Sequence, residues 1–169
     1  GLRPDQGTVL VTGSTGGVGS TAVNMLAQLG YTVAGSTGKA SEHDFLRALG
    51  ATEILTRDEA SAGSNRPMAG DRWVKYGGGI ALSGLAGGTT VPTTVFPFIL
   101  RGVNLLGIDS VFCPLPKRQR VWARMGKDLK PKGLIDSIAV ETDLDGVATV
   151  CAEILQGKVK GRTLVRLGS

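Results

Sequence analysis

The sequence holds one histidine and two cysteines, and aromatic side chains make up only 5% of its 169 residues. Each scarcity closes off a class of function. His43, Cys113 and Cys151 offer no metal-ligand spacing, so no metal site is expected. Two distant cysteines build no disulfide framework, and both are expected to be reduced and half-buried in a cytoplasmic protein. No leader pattern reads as a signal peptide, and no apolar run reaches the ~20 residues that span a bilayer. No membrane partner is therefore expected. Aromatics do not interleave with the basic residues, which argues against a nucleic-acid surface. The net charge of +5 is modest. Its densest cluster, Lys117-Arg118-Gln119-Arg120 followed by Arg124, Lys127, Lys130 and Lys132, reads as the solvated face of a helix. A net positive field would still steer an anionic ligand.

What is present suits one globular domain. Hydrophobic residues make up 41% and charged ones 20%, and the 26 glycines sit at the ends of periodic segments. Apolar patterning alternates between strand and helix. Residues 8–12 read as a buried parallel-type strand, 17–29 as its helix stopped by Gly30, and 31–35 as a second strand. Ser41 is placed to cap a helix through Phe45, Leu46 and Leu49 that ends at Gly50, and 51–55 read as a third strand. Three strands with two crossover helices form one mononucleotide-binding half. Residues 56–73 lack periodicity and read as loop. Beyond them, strands are expected at 78–83, 103–107, 137–141 and 162–167. Helices are expected at 97–100 and 118–129, and from Asp143 or Asp145 to Gly157. The expected fold is α/β, a Rossmann-type doubly wound, mostly parallel sheet, although a fourth strand and its helix are missing where they should lie between Leu55 and Gly78.

The most informative segment is Val9-Leu10-Val11-Thr12-Gly13-Ser14-Thr15-Gly16-Gly17-Val18-Gly19. A strand that breaks into a glycine turn and then a helix N-terminus is the device that binds a dinucleotide pyrophosphate. Two parsings compete. Gly13-x-x-Gly16-Gly17-Val18-Gly19 suits medium-chain reductases, and Thr12-Gly13-x-x-x-Gly17-x-Gly19 suits short-chain ones. The short-chain chemistry needs a Tyr-x-x-x-Lys pair, a phenol whose acidity the lysine raises. Tyr31 is followed four positions later by Gly35 and Tyr76 by Ile80, so that reading fails. A Walker loop fails too, because Ala40 follows Gly38-Lys39 and position 33 is valine. After the second strand an NAD site places an acid for the ribose hydroxyls. Here the turn is Ser36-Thr37-Gly38-Lys39, with Arg57 past the third strand. Hydroxyls and cations suit a 2′-phosphate, so NADPH is the expected cofactor.

With that turn, the run Tyr76-Gly77-Gly78 through Pro114 resembles a known family. Its distinctive parts are Gly84-Leu85-Ala86-Gly87-Gly88, the stretch from Pro92 to Val103 and Leu106-Gly107-Ile108-Asp109-Ser110-Val111. It looks like the zinc-independent quinone oxidoreductase branch of the medium-chain dehydrogenase/reductases, and within it the acryloyl-CoA reductases and YhdH/YhfP-type quinone reductases. The closing Gly161-Arg162-Thr163-Leu164-Val165 is similar as well. The resemblance implies NADPH-dependent reduction of an activated C=C bond, as in acryloyl-CoA, or of a quinone. A non-catalytic dinucleotide-binding module is the alternative of another class.

By the resemblance, Ser14, Thr15, Gly16, Gly17, Val18 and Gly19 belong to the pyrophosphate turn. Thr37 and Lys39 match the family's turn for the 2′-phosphate, where lysine replaces arginine and supplies a point charge rather than a fork. Ser36 and Arg57 join that site on the chemistry of the turn alone. Gly84, Leu85, Ala86, Ile108, Asp109 and Ser110 would pass near the nicotinamide. Asp109 is expected to orient a strand end rather than to transfer a proton, and no catalytic residue is assigned. Residues 1–169 read as the NADP-binding Rossmann domain with a C-terminal returning strand, without the family's N-terminal GroES-like substrate domain. The family also has, after a tryptophan like Trp73, a strand of the type Gly-Ala-x-Asp-x-Val-Gly and a helix. Here Trp73 joins Val74 directly, so a βα segment on the order of 20 residues is missing between 73 and 74. The family's habit of pairing near Gly107–Val111, with Leu105 and Leu106 beside it, implies a homodimer.

Overall fold

A computed structural model describes residues 3–61, 74–84, 88–91 and 93–168. The apolar run after Gly7 forms β1 (Val9–Thr12). The chain then turns at Gly13, whose φ of 58° lies in the left-handed region that favours glycine. It enters α1 (Gly17–Gln28) and leaves it at Gly30 for β2 (Val33–Ser36). A 3-10 turn, Ala40–Glu42, leads into α2 (His43–Ala48), and β3 (Glu53–Leu55) follows. The three strands are parallel, with β2 between the other two and Val11 opposite Gly35. This is the mononucleotide-binding half expected from the sequence. One detail differs: Ser41 lies inside the 3-10 turn, and α2 has no side-chain cap.

α1 and α2 bury Val23, Leu46 and Leu49 against Val33 and Ala51, and Ile138 arrives from the far end of the chain to complete the cluster. Each such aliphatic side chain contributes roughly 1.5–3 kcal/mol when fully buried. Asn24 ties the same layer together. Its amide donates to the Leu49 carbonyl at 3.2 Å, and its side-chain oxygen accepts from the Gly133 N–H at 3.4 Å.

The expected loop 56–73 begins instead with α3 (Arg57–Ser61). A reciprocal cap starts it. The Thr56 hydroxyl accepts from the Glu59 N–H at 3.1 Å, and the Glu59 carboxylate accepts from the Thr56 N–H at 2.8 Å and its hydroxyl at 2.9 Å. These bonds, the backbone one foremost, hold the Glu59 carboxyl below the usual glutamate range. The remainder of the expected loop, including Trp73 and the junction after it, lies outside the described residues.

From residue 74 onward the elements are β4 (Gly79–Leu82), α4 (Phe96–Arg101), β5 (Asn104–Gly107) and α5 (Leu115–Met125). A π-helical turn, Leu134–Ile138, precedes β6 (Ala139–Thr142), α6 (Val147–Leu155) and β7 (Arg162–Val165). Of the two candidate starts for α6, Asp143 is the one engaged, accepting from the Gly146 N–H at 2.8 Å. α5 starts three residues earlier than expected, at Leu115 directly after Pro114. Cys113 is half-buried as expected, but Cys151 is exposed, because α6 turns that face outward.

β4 pairs with β5 and β6 with β7, both parallel. Among the described residues no ladder joins β1 to β4, so the parallel strands form three sheets rather than one. Parallel strands are stable when both faces are covered. Here Leu105 and Leu106 of β5, Phe96 and Ile99 of α4 and Trp122 of α5 remain exposed.

Candidate cofactor-binding site

The glycine turn sits at the carboxyl end of β1, the end at which doubly wound folds bind ligands. Ser14 is fully buried, and its hydroxyl donates to the Ser36 carbonyl at 2.9 Å. It therefore pins the turn to β2 from beneath, a backbone-shaping role rather than a ligand contact. Thr15 is buried too, and its carbonyl accepts from the Gly161 N–H at 2.8 Å. Gly16 is the N-cap of α1 and no side chain caps that end. The first helical amides are left for an anion, with the helix dipole adding positive potential. Val18 stands 63% exposed over this end. A Cβ at Gly19 would collide with the carbonyl oxygen of Gly13, so helix and turn pack this closely only with glycine there.

A second group gathers at the ends of β2 and β3. Ser36 and Thr37 are buried and their hydroxyls are engaged inward. The Ser36 hydroxyl faces the Thr56 carbonyl at 3.5 Å, and that of Thr37 accepts from the Lys39 N–H at 3.1 Å. The turn is thus shaped by its hydroxyls, while its charge comes from two cations. Lys39 is half-buried within the turn. Arg57 leans over Gly38, its Nε 3.3 Å from where a Cβ of that residue would be. The α3 cap places this arginine, and the signal for it, Thr56-x-x-Glu59, stands in the sequence.

The third group follows β4 and β5. Ile108 donates its N–H to the Leu82 carbonyl at 2.9 Å, which ties the two strand ends together. Asp109 accepts from the N–H groups of Val111 at 3.1 Å and Phe112 at 3.0 Å, which braces the turn after β5. Gly84 is described and open, with no atom within 4 Å of a would-be Cβ. Leu85 and Ala86 lie outside the described residues.

The structure adds a residue that the motif reading did not single out. Arg162 opens β7, and its guanidinium carbon and one nitrogen come within 3.5 Å of a would-be Cβ on Gly17. A guanidinium there faces the same helix end as an incoming phosphate. Its only sequence signal is its place directly after Gly161, which meets Gly16 in a parallel bridge. The basic cluster also divides. Arg118 binds backbone carbonyls and Arg124 pairs with Asp128 at 2.6 Å, so the helix face is only partly free in solvent. Among the described residues no cluster of metal-ligating side chains is found, and no helix is long and apolar enough to cross a membrane.

No protein-family profile matches the chain. Individual proteins do. YhfP of Bacillus subtilis, named among the quinone oxidoreductases, is 44% identical over 99% of this chain and 56% of its own length. The acrylyl-CoA reductase AcuI of Ruegeria pomeroyi is 44% identical over 98% of the chain and 55% of its own. The crystal structure of the yhdH oxidoreductase from Salmonella enterica in complex with NADP superposes with a TM-score of 0.92, at 42% identity over 99% of this chain and 56% of that one. YhfP itself, crystallised with NAD bound, gives a TM-score of 0.91 at 45% identity, with the same coverage of both chains. The chain thus spans about half the length of the curated relatives that it matches. With identities of this size along nearly all of its residues, the chain belongs to the oxidoreductase family of these quinone oxidoreductases and acrylyl-CoA reductases.

Proposed function

We propose that this chain is the cofactor-binding part of an NADPH-dependent reductase that passes hydride to the activated C=C bond of an enoyl thioester such as acryloyl-CoA. The observation that carries the reading is the pair of cations, Lys39 and Arg57, set around the acid-free turn beside the uncapped end of α1. Two cations suit an adenosine 2′-phosphate, and the turn offers no carboxylate to the sugar hydroxyls of NAD. Bound NADPH would supply the hydride. The chain's own residues do the holding. The amides of Gly17 and Val18, with Arg162, take the pyrophosphate. Lys39 and Arg57 take the 2′-phosphate, and the turns after β4 and β5 receive the nicotinamide half. The support from relatives is that yhdH is crystallised with NADP and that AcuI is named for acrylyl-CoA.

Quinone reduction is the second reading, favoured by the naming of YhfP. Following NADPH absorbance with acryloyl-CoA against benzoquinone separates the two. Calorimetric titration of the chain tests the cofactor: tighter binding of NADPH than NADH supports the reading, and no binding by a folded chain favours a non-catalytic module. The wider proposal is a zinc-free, cytoplasmic enzyme that dimerises through β5 and the turn after it, where Leu105, Leu106 and Ile108 are exposed. A monomer at micromolar concentration by light scattering would count against that assembly. The chain as a Rossmann domain lacking one βα unit between 73 and 74 is supported by two observations. The alignment to YhfP runs over 185 positions against the 169 residues here, and β1 and β4 share no ladder.

A further inference from the structure

The turn after β5 is held by two side chains that neither the glycine motif nor the strand pattern explains. From within, Asp109 Oδ1 accepts the N–H groups of Val111 and Phe112 at 3.1 and 3.0 Å. From α5, Arg118 Nη2 donates to the carbonyl of Ser110 at 2.7 Å and to that of Val111 at 3.2 Å. Two side chains thus occupy four backbone groups within three successive residues. The turn is otherwise exposed, and exposed backbone of this kind is mobile unless such bonds fix it. Its position matters. In a doubly wound fold each half serves one mononucleotide, and the ligand crosses the carboxyl ends of the strands. The first half carries the phosphate turn and the cations, so the ends of β4 and β5 fall to the nicotinamide mononucleotide.

We propose that Asp109 and Arg118 are positioning residues that preset the 108–112 turn for the nicotinamide half of the cofactor, and so govern the affinity for that half alone. The proposal rests on the NADPH reading above. Presetting a loop removes an ordering cost that binding would otherwise carry. The hydrogen bonds of both residues go to the backbone of residues 110–112, not to the turn that holds Lys39 or to the start of α1.

The test compares two ligands on the full chain by calorimetry: NADPH, and 2′-phospho-ADP-ribose, which has both phosphate ends but no nicotinamide. Asp109→Ala and Arg118→Met should each weaken NADPH about tenfold, or about 1.4 kcal/mol, and change 2′-phospho-ADP-ribose by less than about twofold. Asp109→Asn, whose side-chain oxygen still accepts both amides, should restore most of the loss. Far-ultraviolet circular dichroism checks that each variant is folded. Equal losses for both ligands would mean a general structural role and overturn the proposal, as would unchanged NADPH affinity. A wild-type chain that binds 2′-phospho-ADP-ribose but not NADPH would overturn the proposal and leave the phosphate reading standing. A folded wild-type chain that binds neither ligand overturns both.

Discussion

The β1–β3 half and the β4–β5 half use the same elements, parallel strands with a helix between them, and differ in what covers those elements. In the first, Val23, Val33 and Leu46 are fully buried, and Leu49 nearly so. In the second, Leu106 is 53% exposed and Ile99 70% exposed. Equal secondary structure therefore hides unequal packing. The proposed phosphate-binding features stand on the packed half, where backbone position is fixed by a real core. The proposed nicotinamide end stands on the thinly covered half, where single side-chain bonds such as those of Asp109 and Arg118 hold the turn. Later elements join the first half: Ile138 enters its core, and the Gly161 N–H donates to the Thr15 carbonyl of the phosphate turn.

The contrast is broken or sharpened most strongly by matched truncations. Leu46→Ala should cost about 2–5 kcal/mol in urea denaturation, while Leu106→Ala should stay within about 0.5 kcal/mol. Similar losses at both sites would show that the second half is as well covered as the first. Gly19→Ala comes next. Its methyl group meets the Gly13 carbonyl, so the turn must shift, and NADPH affinity should fall at least about tenfold, roughly 1.4 kcal/mol, by calorimetry. Lys39→Glu should weaken NADPH by a similar factor and hardly affect NADH; an equal loss for both would sink the 2′-phosphate assignment. The smallest change belongs to the α3 cap. Thr56→Ala should cost about 1 kcal/mol and loosen the placement of Arg57. Because the Glu59 carboxyl is held below the ordinary glutamate range, its contribution is complete above that range. It is lost as the pH falls through the lowered value. Thr56→Ala keeps the backbone N–H and removes only the hydroxyl's share, so on acidification its stability should fall slightly less than that of the wild type.

The first half was readable in the sequence because its signals are local. An apolar run, a left-handed glycine at Gly13 and a helix that begins at Gly17 and stops before Gly30 each announce themselves within a few residues. The same holds for the turn that carries Lys39. Arg162 was harder, since it meets Gly17 across more than a hundred residues of chain and only packing brings them together. The sequence does not show that Ser14 donates to the Ser36 carbonyl and Thr37 accepts from the Lys39 N–H, because such bonds within a buried turn depend on packing. The α3 cap was legible as Thr-x-x-Glu but masked by the glycine-rich stretch after it. Exposure of the β4–β5 half has no local signature, since residues such as Leu105 and Ile99 look like core in any window.

Amide hydrogen exchange of the full chain, with and without NADPH, tests the central claim most directly. Without ligand, β1 and β2 should exchange slowly and β4 and β5 faster. With NADPH, residues 13–19 and 36–39 should gain protection first and most. Uniform protection of both halves, together with no change in the 13–19 turn on adding NADPH, would contradict the account.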